Sequence, residues 1–249
     1  MNSRRVFNIL MMLALSCIPV SQAGADSASD LDDAVARVQY AFYTLDARAL
    51  QEALTLIAPM QSSELPPGMS EYYAAYGNWK LAQIYSERPP TQSQSGKAAQ
   101  ECARHARAAR TQDARMAEAY AIEAVCSGLG ATLFSGNCAQ KPLRTAQELD
   151  PRNPRIKLIE LQCLQKEEGS SPAYAQKLGD LVDAFESAPP AGPGKPDWGQ
   201  AEALVMLGRS HLQRGDSLAA RDAIERALVI APDYRQAQEL LQTAATRPK

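Results

Sequence analysis

The chain has 249 residues, 45% of them hydrophobic and 22% charged, with a formal net charge of −2. That balance is the composition of an ordinary globular protein with room for one or two domains and a sizeable core. Aromatic residues make up 6%, and no basic stripe with interleaved aromatics is present, so nucleic acid is not an expected partner. Alanine is abundant while Val, Ile and Thr are few, which suits close-packed helices better than sheets.

The first 25 residues read as a cleaved signal peptide. Arg4 and Arg5 make the start positive, Val6 to Val20 is apolar apart from Asn8, Ser16 and Pro19, and Ala23-Gly24-Ala25 supplies small residues for cleavage. The apolar stretch is too short to span a bilayer comfortably, and no segment of the mature chain reaches the roughly 20 residues a membrane helix needs. Removing Arg4 and Arg5 from the 26 basic side chains leaves 24 against 28 acidic ones, a net of −4. Two variants of this leader stay open. Ser3-Arg4-Arg5-Val6-Phe7 resembles a twin-arginine signal, and Leu13-Ala14-Leu15-Ser16-Cys17 loosely resembles a lipoprotein box that would anchor the chain through Cys17. The expected location is periplasmic or secreted.

Residues 26–249 read as one array of helices. Leu31, Ala34, Val35, Val38 and Phe42 share a helical face, and Asp46 caps a second helix that carries Leu50, Leu54 and Ile57. After a break ending in Pro66-Pro67-Gly68, an aromatic helix is expected over Ser70 to Glu87. A polar loop then runs to Gly96, and further helices cover Lys97 to Arg110, Ala114 to Leu129, Cys138 to Leu149, Pro154 to Glu167 and Ala173 to Ser187. Residues 188–196, rich in Pro and Gly, form a linker.

An internal repeat organises this series. Leu204, Leu207, Gly208 and His211 fill a W-x-x-L-G-x-x-Y pattern with Leu in the first slot and His in the last. Gly215 makes the turn, Ala220, Ile224 and Ala227 fill the second helix, and Pro232 stops it. Upstream, Ala139, Leu143, Ala146, Leu149 and Pro151 occupy the corresponding places, and Leu81-Ala82-x-x-Tyr85 is a weaker echo. Asp233 to Thr246 reads as a capping helix. The chain thus resembles the tetratricopeptide repeat family over nearly all of its mature length. The resemblance implies an all-α, right-handed superhelix of antiparallel helix pairs with a concave groove for a partner protein or peptide.

No residue pattern for catalysis, a cofactor or a metal is found: H-E-x-x-H, G-x-S-x-G, a glycine-rich phosphate loop and Cys-x-x-Cys are all missing from the sequence. His105 has only Arg104 and Arg107 as neighbours in sequence, and His211 sits in a packing slot. Asp30, Asp32 and Asp33 read as acids near a helix N-terminus rather than a calcium site. The residues expected to face the groove are Tyr76, Trp79 and Gln83 on the aromatic helix, with a core role open for Trp79. Glu202, Val205 and Arg209 are their counterparts on the last repeat, where a solvated face is the plainer description. The expected function is an exported scaffold that binds an unidentified protein or peptide; the alternative is an envelope component tethered as a lipoprotein.

The mature chain has four cysteines, Cys102, Cys126, Cys138 and Cys163, which allow three pairings. In antiparallel helix hairpins, residues equidistant from the turn face each other, which brings Cys126 within a turn of Cys102 and Cys163 within a turn of Cys138. Pairing Cys126 with Cys138 would leave the other two on helices separated by intervening layers. Neighbouring axes are about 8–10 Å apart and a disulfide needs its Cα atoms within about 7 Å, so the expected bonds are Cys102–Cys126 and Cys138–Cys163. Four reduced cysteines acting as small core residues are the alternative.

Overall fold

The computed structural model describes residues 23–58, 60, 65–87, 92–130 and 138–246. The leader through residue 22, including Cys17 and both arginines, lies outside the described residues. Among those described, every regular element is a helix: α1 Ala23–Tyr43, α2 Ala47–Ile57, α3 Met69–Ser86, α4 Gln92–Gln112, α5 Ala117–Gly130, α6 Gln140–Leu149, α7 Pro154–Glu168, α8 Pro172–Ser187, α9 Gln200–Gln213, α10 Ser217–Ile230 and α11 Arg235–Thr246.

Helix starts follow local chemistry. Asp46 accepts a hydrogen bond from the Ala49 N–H at 2.9 Å, and Asp216 does the same for Ala219 at 3.1 Å, each satisfying an orphan donor of the first turn. Asn153 and Ser171 cap α7 and α8, where Pro154 and Pro172 stand at the first helical position, whose N–H has no helical partner to lose.

Consecutive helices pack as pairs, α1 with α2, α3 with α4, α5 with α6, α7 with α8 and α9 with α10, and α11 covers the last pair. The first helices of successive pairs also adjoin, α1 with α3, α3 with α5 and α5 with α7. This is an all-α, tetratricopeptide-like arrangement. Small residues permit the close approach within a pair: a Cβ on Gly208 of α9 would stand 2.6 Å from Ile224 Cγ1 and 3.2 Å from the Ala220 carbonyl oxygen of α10.

Both expected disulfides are present. Cys102 of α4 joins Cys126 of α5 with Cα atoms 6.0 Å apart, and Cys138, just ahead of α6, joins Cys163 of α7 at 5.6 Å. Each bond links one helix pair to the next.

Three expectations require correction. Helix α4 begins at Gln92, so Gln92 to Gly96 is helix rather than loop. Ser and Gln do not stop a helix, and Ser95 is buried with its hydroxyl donating to the Ala82 carbonyl at 2.9 Å. Helix α1 begins at Ala23, so Asp30, Asp32 and Asp33 lie within it and not at its N-terminus. The segment after α8 is also more than a linker. Ala188 to Pro193 is exposed, but the Gly194 N–H donates to Asp32 Oδ1 of α1 at 3.0 Å and Gln39 Nε2 of α1 donates to Asp197 Oδ1 at 3.1 Å.

The chain then buries Trp198 against the inner side of α3. Its indole stacks on Tyr76 with centroids 5.0 Å apart, meets Trp79 edge-on at 5.6 Å, and donates to Tyr72 Oη at 2.8 Å. Tyr72 in turn donates to Glu118 of α5, which also takes hydrogen bonds from Arg155 Nε at 2.7 Å and Asn153 Nδ2 at 2.9 Å. Gly199 follows with φ 114°, and a Cβ there would meet Phe185 at 2.7 Å, so only glycine lets the backbone turn into α9 here. The last repeat is thereby folded back onto the first.

Candidate functional site

Folding the last repeat back forms an open cavity of about 520 Å³ that every odd-numbered helix helps to line. Phe42 comes from α1; Trp79, Lys80 and Gln83 come from α3. Val125 and Leu129 of α5 form an apolar wall, next to the Cys138–Cys163 disulfide. Gln162 and Lys166 of α7 face the cavity as well. Glu202, Val205 and Arg209 of α9 come from the far end of the array, and Gln236 from α11. The first helix of each pair occupies the inner side, so its inward residues converge although they are far apart in sequence.

Of the six residues expected to face a groove, Trp79, Gln83, Glu202, Val205 and Arg209 all line this one cavity. Tyr76 does not; it is fully buried beneath Trp198. The solvated face expected for the last repeat is overturned for Glu202 and Val205, which are 3% and 2% exposed, while Arg209 is half-buried. The reversal arises because Glu202 reaches Lys80 of α3 and Tyr43 of α1 across the cavity instead of facing solvent. Trp79 is itself 0% exposed, so its role is core packing at the cavity edge.

Lys80 did not stand out in the sequence. Its side chain is fully buried and its Nζ lies 3.2 Å from Glu202 Oε1. Four rings surround the ammonium, with centroids at 4.1 Å for Trp79, 4.5 Å for Phe42, 5.3 Å for Tyr76 and 5.7 Å for Trp198. Their faces offer the cation partial compensation for lost water. Burial pushes the Lys80 pKa below that of an ordinary lysine, and the Glu202 carboxylate pulls in the opposite direction. Glu202 also accepts from the Tyr43 hydroxyl through Oε2 at 3.3 Å, and burial together with Glu202 raises the Tyr43 pKa. A lysine inside an otherwise aromatic and apolar stretch was the available signal, but its partner stands on another repeat.

The cavity lining is incompletely satisfied. The Lys80–Glu202 pair is close as ions but not aligned as a hydrogen bond, so Nζ and Oε1 keep unmet capacity. Trp79 Nε1, Gln83 Oε1 and Gln162 Oε1 are buried and have no hydrogen-bond partner. Native interiors rarely leave such atoms unpaired without a reason.

The histidines are placed apart from this cavity. His105 Nδ1 of α4 lies 2.6 Å from Glu71 Oε2 of α3, a partner not visible among its sequence neighbours. His211 Nδ1 is 3.7 Å from Asp216 across the α9–α10 turn. Among the described residues no cluster of His, Cys, Asp and Glu could hold a metal ion, and no helix is long and apolar enough to cross a membrane.

The fold and the cavity together define an all-helical array closed around a polar, partly charged interior. Comparison of the chain with protein-family models and with curated proteins found no match.

Proposed function

We propose that the protein is an exported scaffold of the tetratricopeptide type that holds another protein or peptide in its inner cavity and performs no catalysis. The observation that carries this reading is the convergence of Trp79, Gln83, Glu202, Val205 and Arg209 on one open cavity. The lining is drawn from repeats at both ends of the array, and extended concave surfaces built from stacked repeats are how such proteins hold partners. Two disulfides support export, because such bonds persist in oxidising compartments.

Site-specific photocrosslinking in intact cells tests it. A photoreactive residue at Gln83 is expected to capture a discrete partner, and one at Leu218, 81% exposed on α10, is not. Capture from Leu218 alone would move the binding surface outside the cavity. N-terminal sequencing of the exported protein is expected to begin at Asp26; an acylated Cys17 at the terminus would favour the tethered envelope component instead.

A further inference from the structure

We propose that two copies of the chain pair through the outer groove of the first helix pair. The two-fold axis runs along the groove and lays α1 of each copy over α2 of the other. The groove, of about 690 Å³, lies between α1 and α2. Val38 and Leu54 point from these helices to α3, where a Cβ on Gly77 would stand 3.6 Å from Val38 Cγ1 and 2.7 Å from Leu54 Cδ2. Positions two apart on a helix point about 200° apart, so Ala36, Tyr40, Glu52 and Leu56 point away from α3. Tyr40 points away from Phe42 for the same reason, and Phe42 lines the inner cavity, which therefore stays open in the dimer. The far end of the array is capped: α11 covers the last pair and exposes polar Gln238, Glu239 and Gln242. The first pair instead leaves Tyr40 58% and Leu56 44% exposed. Stacked-repeat arrays need polar outer faces at their ends to stay soluble as single chains.

The groove complements itself. A two-fold interface sets one patch against its own copy, so the patch must carry both halves of every contact. With the axis along the groove, residues equidistant from the α1–α2 turn meet between copies. Tyr40 and Ala49 stand five and four positions from Leu45 at that turn, and Arg37 and Glu52 stand eight and seven. Each Tyr40 ring then lies on Ala49 of the second copy, and each Arg37 guanidinium meets Glu52 of the second copy. Leu56 falls beside Ala36 in the same way. Arg37 is exposed and enters no ion pair among the described residues. Glu52 has Arg48 beside it, but that side chain is 89% exposed, and such surface pairs contribute little. An axis across the groove would instead oppose Arg37 to Arg37 and Glu52 to Glu52, and like charges face to face weaken association. The groove offers nine residues against the roughly 20–30 per side of a standard interface, so the dimer is expected to be weak and reversible.

Sedimentation velocity of the full mature chain tests the pairing. The weight-average mass is expected to rise from monomer towards dimer across a concentration series that reaches the millimolar range. Arg37→Glu and Glu52→Arg each set like charges against each other at both contacts, so each variant alone is expected to associate at least about tenfold more weakly. Mixed one to one, the two variants regain both ion pairs, and the mixture is expected to dimerise as the native chain does. Both positions are exposed, so folding is expected to be unchanged, which circular dichroism checks. A native chain that stays monomeric throughout would overturn the pairing and leave the groove to a different partner. Dimers that both variants retain would place the interface elsewhere. A mixture that stays monomeric would overturn the contact of Arg37 with Glu52 of the second copy.

Discussion

Lys80 and Glu202 stand 122 positions apart in the chain and meet at 3.2 Å with their side chains 0% and 4% exposed. Taking two ions out of water costs several kcal/mol each, and their attraction recovers this only when geometry and hydrogen bonds are good. Here the hydrogen bonding is incomplete. Glu202→Gln is therefore expected to cost about 3–5 kcal/mol, because it strands a buried ammonium. Replacing both, Lys80→Met with Glu202→Leu, is expected to recover most of that loss. Denaturant unfolding of Lys80→Met, Glu202→Leu and the double gives the coupling directly, and additive losses would disprove it.

Trp198 and Trp79 form the contact that closes the array. Both are essentially fully buried, so either Trp→Ala change is expected to destabilise by about 3–5 kcal/mol through lost burial and the cavity left behind. Trp198→Ala also removes the donor to Tyr72 Oη. Hydrogen exchange is expected to rise in α9 and α11 before α3 and α4 in that variant, since those two lose their anchor to the first repeats. Uniform loosening of all helices would contradict this order.

Each disulfide joins successive helix pairs, so reducing either one is expected to lower stability by about 3 kcal/mol in the loop-entropy view. Peptide mapping without reductant should recover Cys102 with Cys126 and Cys138 with Cys163. Free thiols, or a Cys126–Cys138 crosslink, would contradict the assigned pairing.

Alkaline pH is expected to unfold the protein sharply. Burial, together with nearby acids, raises the pKa of Tyr43, Tyr72, Tyr73, Tyr76, Tyr174 and Tyr234 above the ordinary value of 10.0. Above that pH the unfolded chain ionises these phenols and the folded chain does not, so stability falls by about 1.4 kcal/mol per pH unit for each tyrosine. Lys80 acts with the opposite sign. Its folded pKa lies below 10.5, so the unfolded chain binds the extra proton and stability rises as pH climbs from that folded value towards 10.5. One lysine against six tyrosines leaves a net loss above about pH 10. Phenolate absorbance should then appear together with loss of helical circular dichroism, and gradual ionisation of all these tyrosines in a still-helical protein would contradict the burial argument.

The sequence by itself determined most of the helices and their pairing, and it pointed to the disulfide partners while leaving reduced cysteines open, because each depends on neighbours within a repeat or the next one. Apolar spacing marks the inner face, Asp46 and Pro154 mark helix starts, and cysteines equidistant from a turn must face each other. Register grouped Tyr76, Trp79 and Gln83 on one face and made Glu202, Val205 and Arg209 their counterparts, but it left the last three on a solvated face and did not show that Tyr76 is buried beneath Trp198. Only the tertiary structure decided that α9 returns to α1 and α3, that Trp198 fills the space over Tyr76, and that Lys80 meets Glu202. No local period encodes these contacts. They depend on how far the array curves, a small rotation summed over every repeat, and on the turn at Gly199 that brings its last member home.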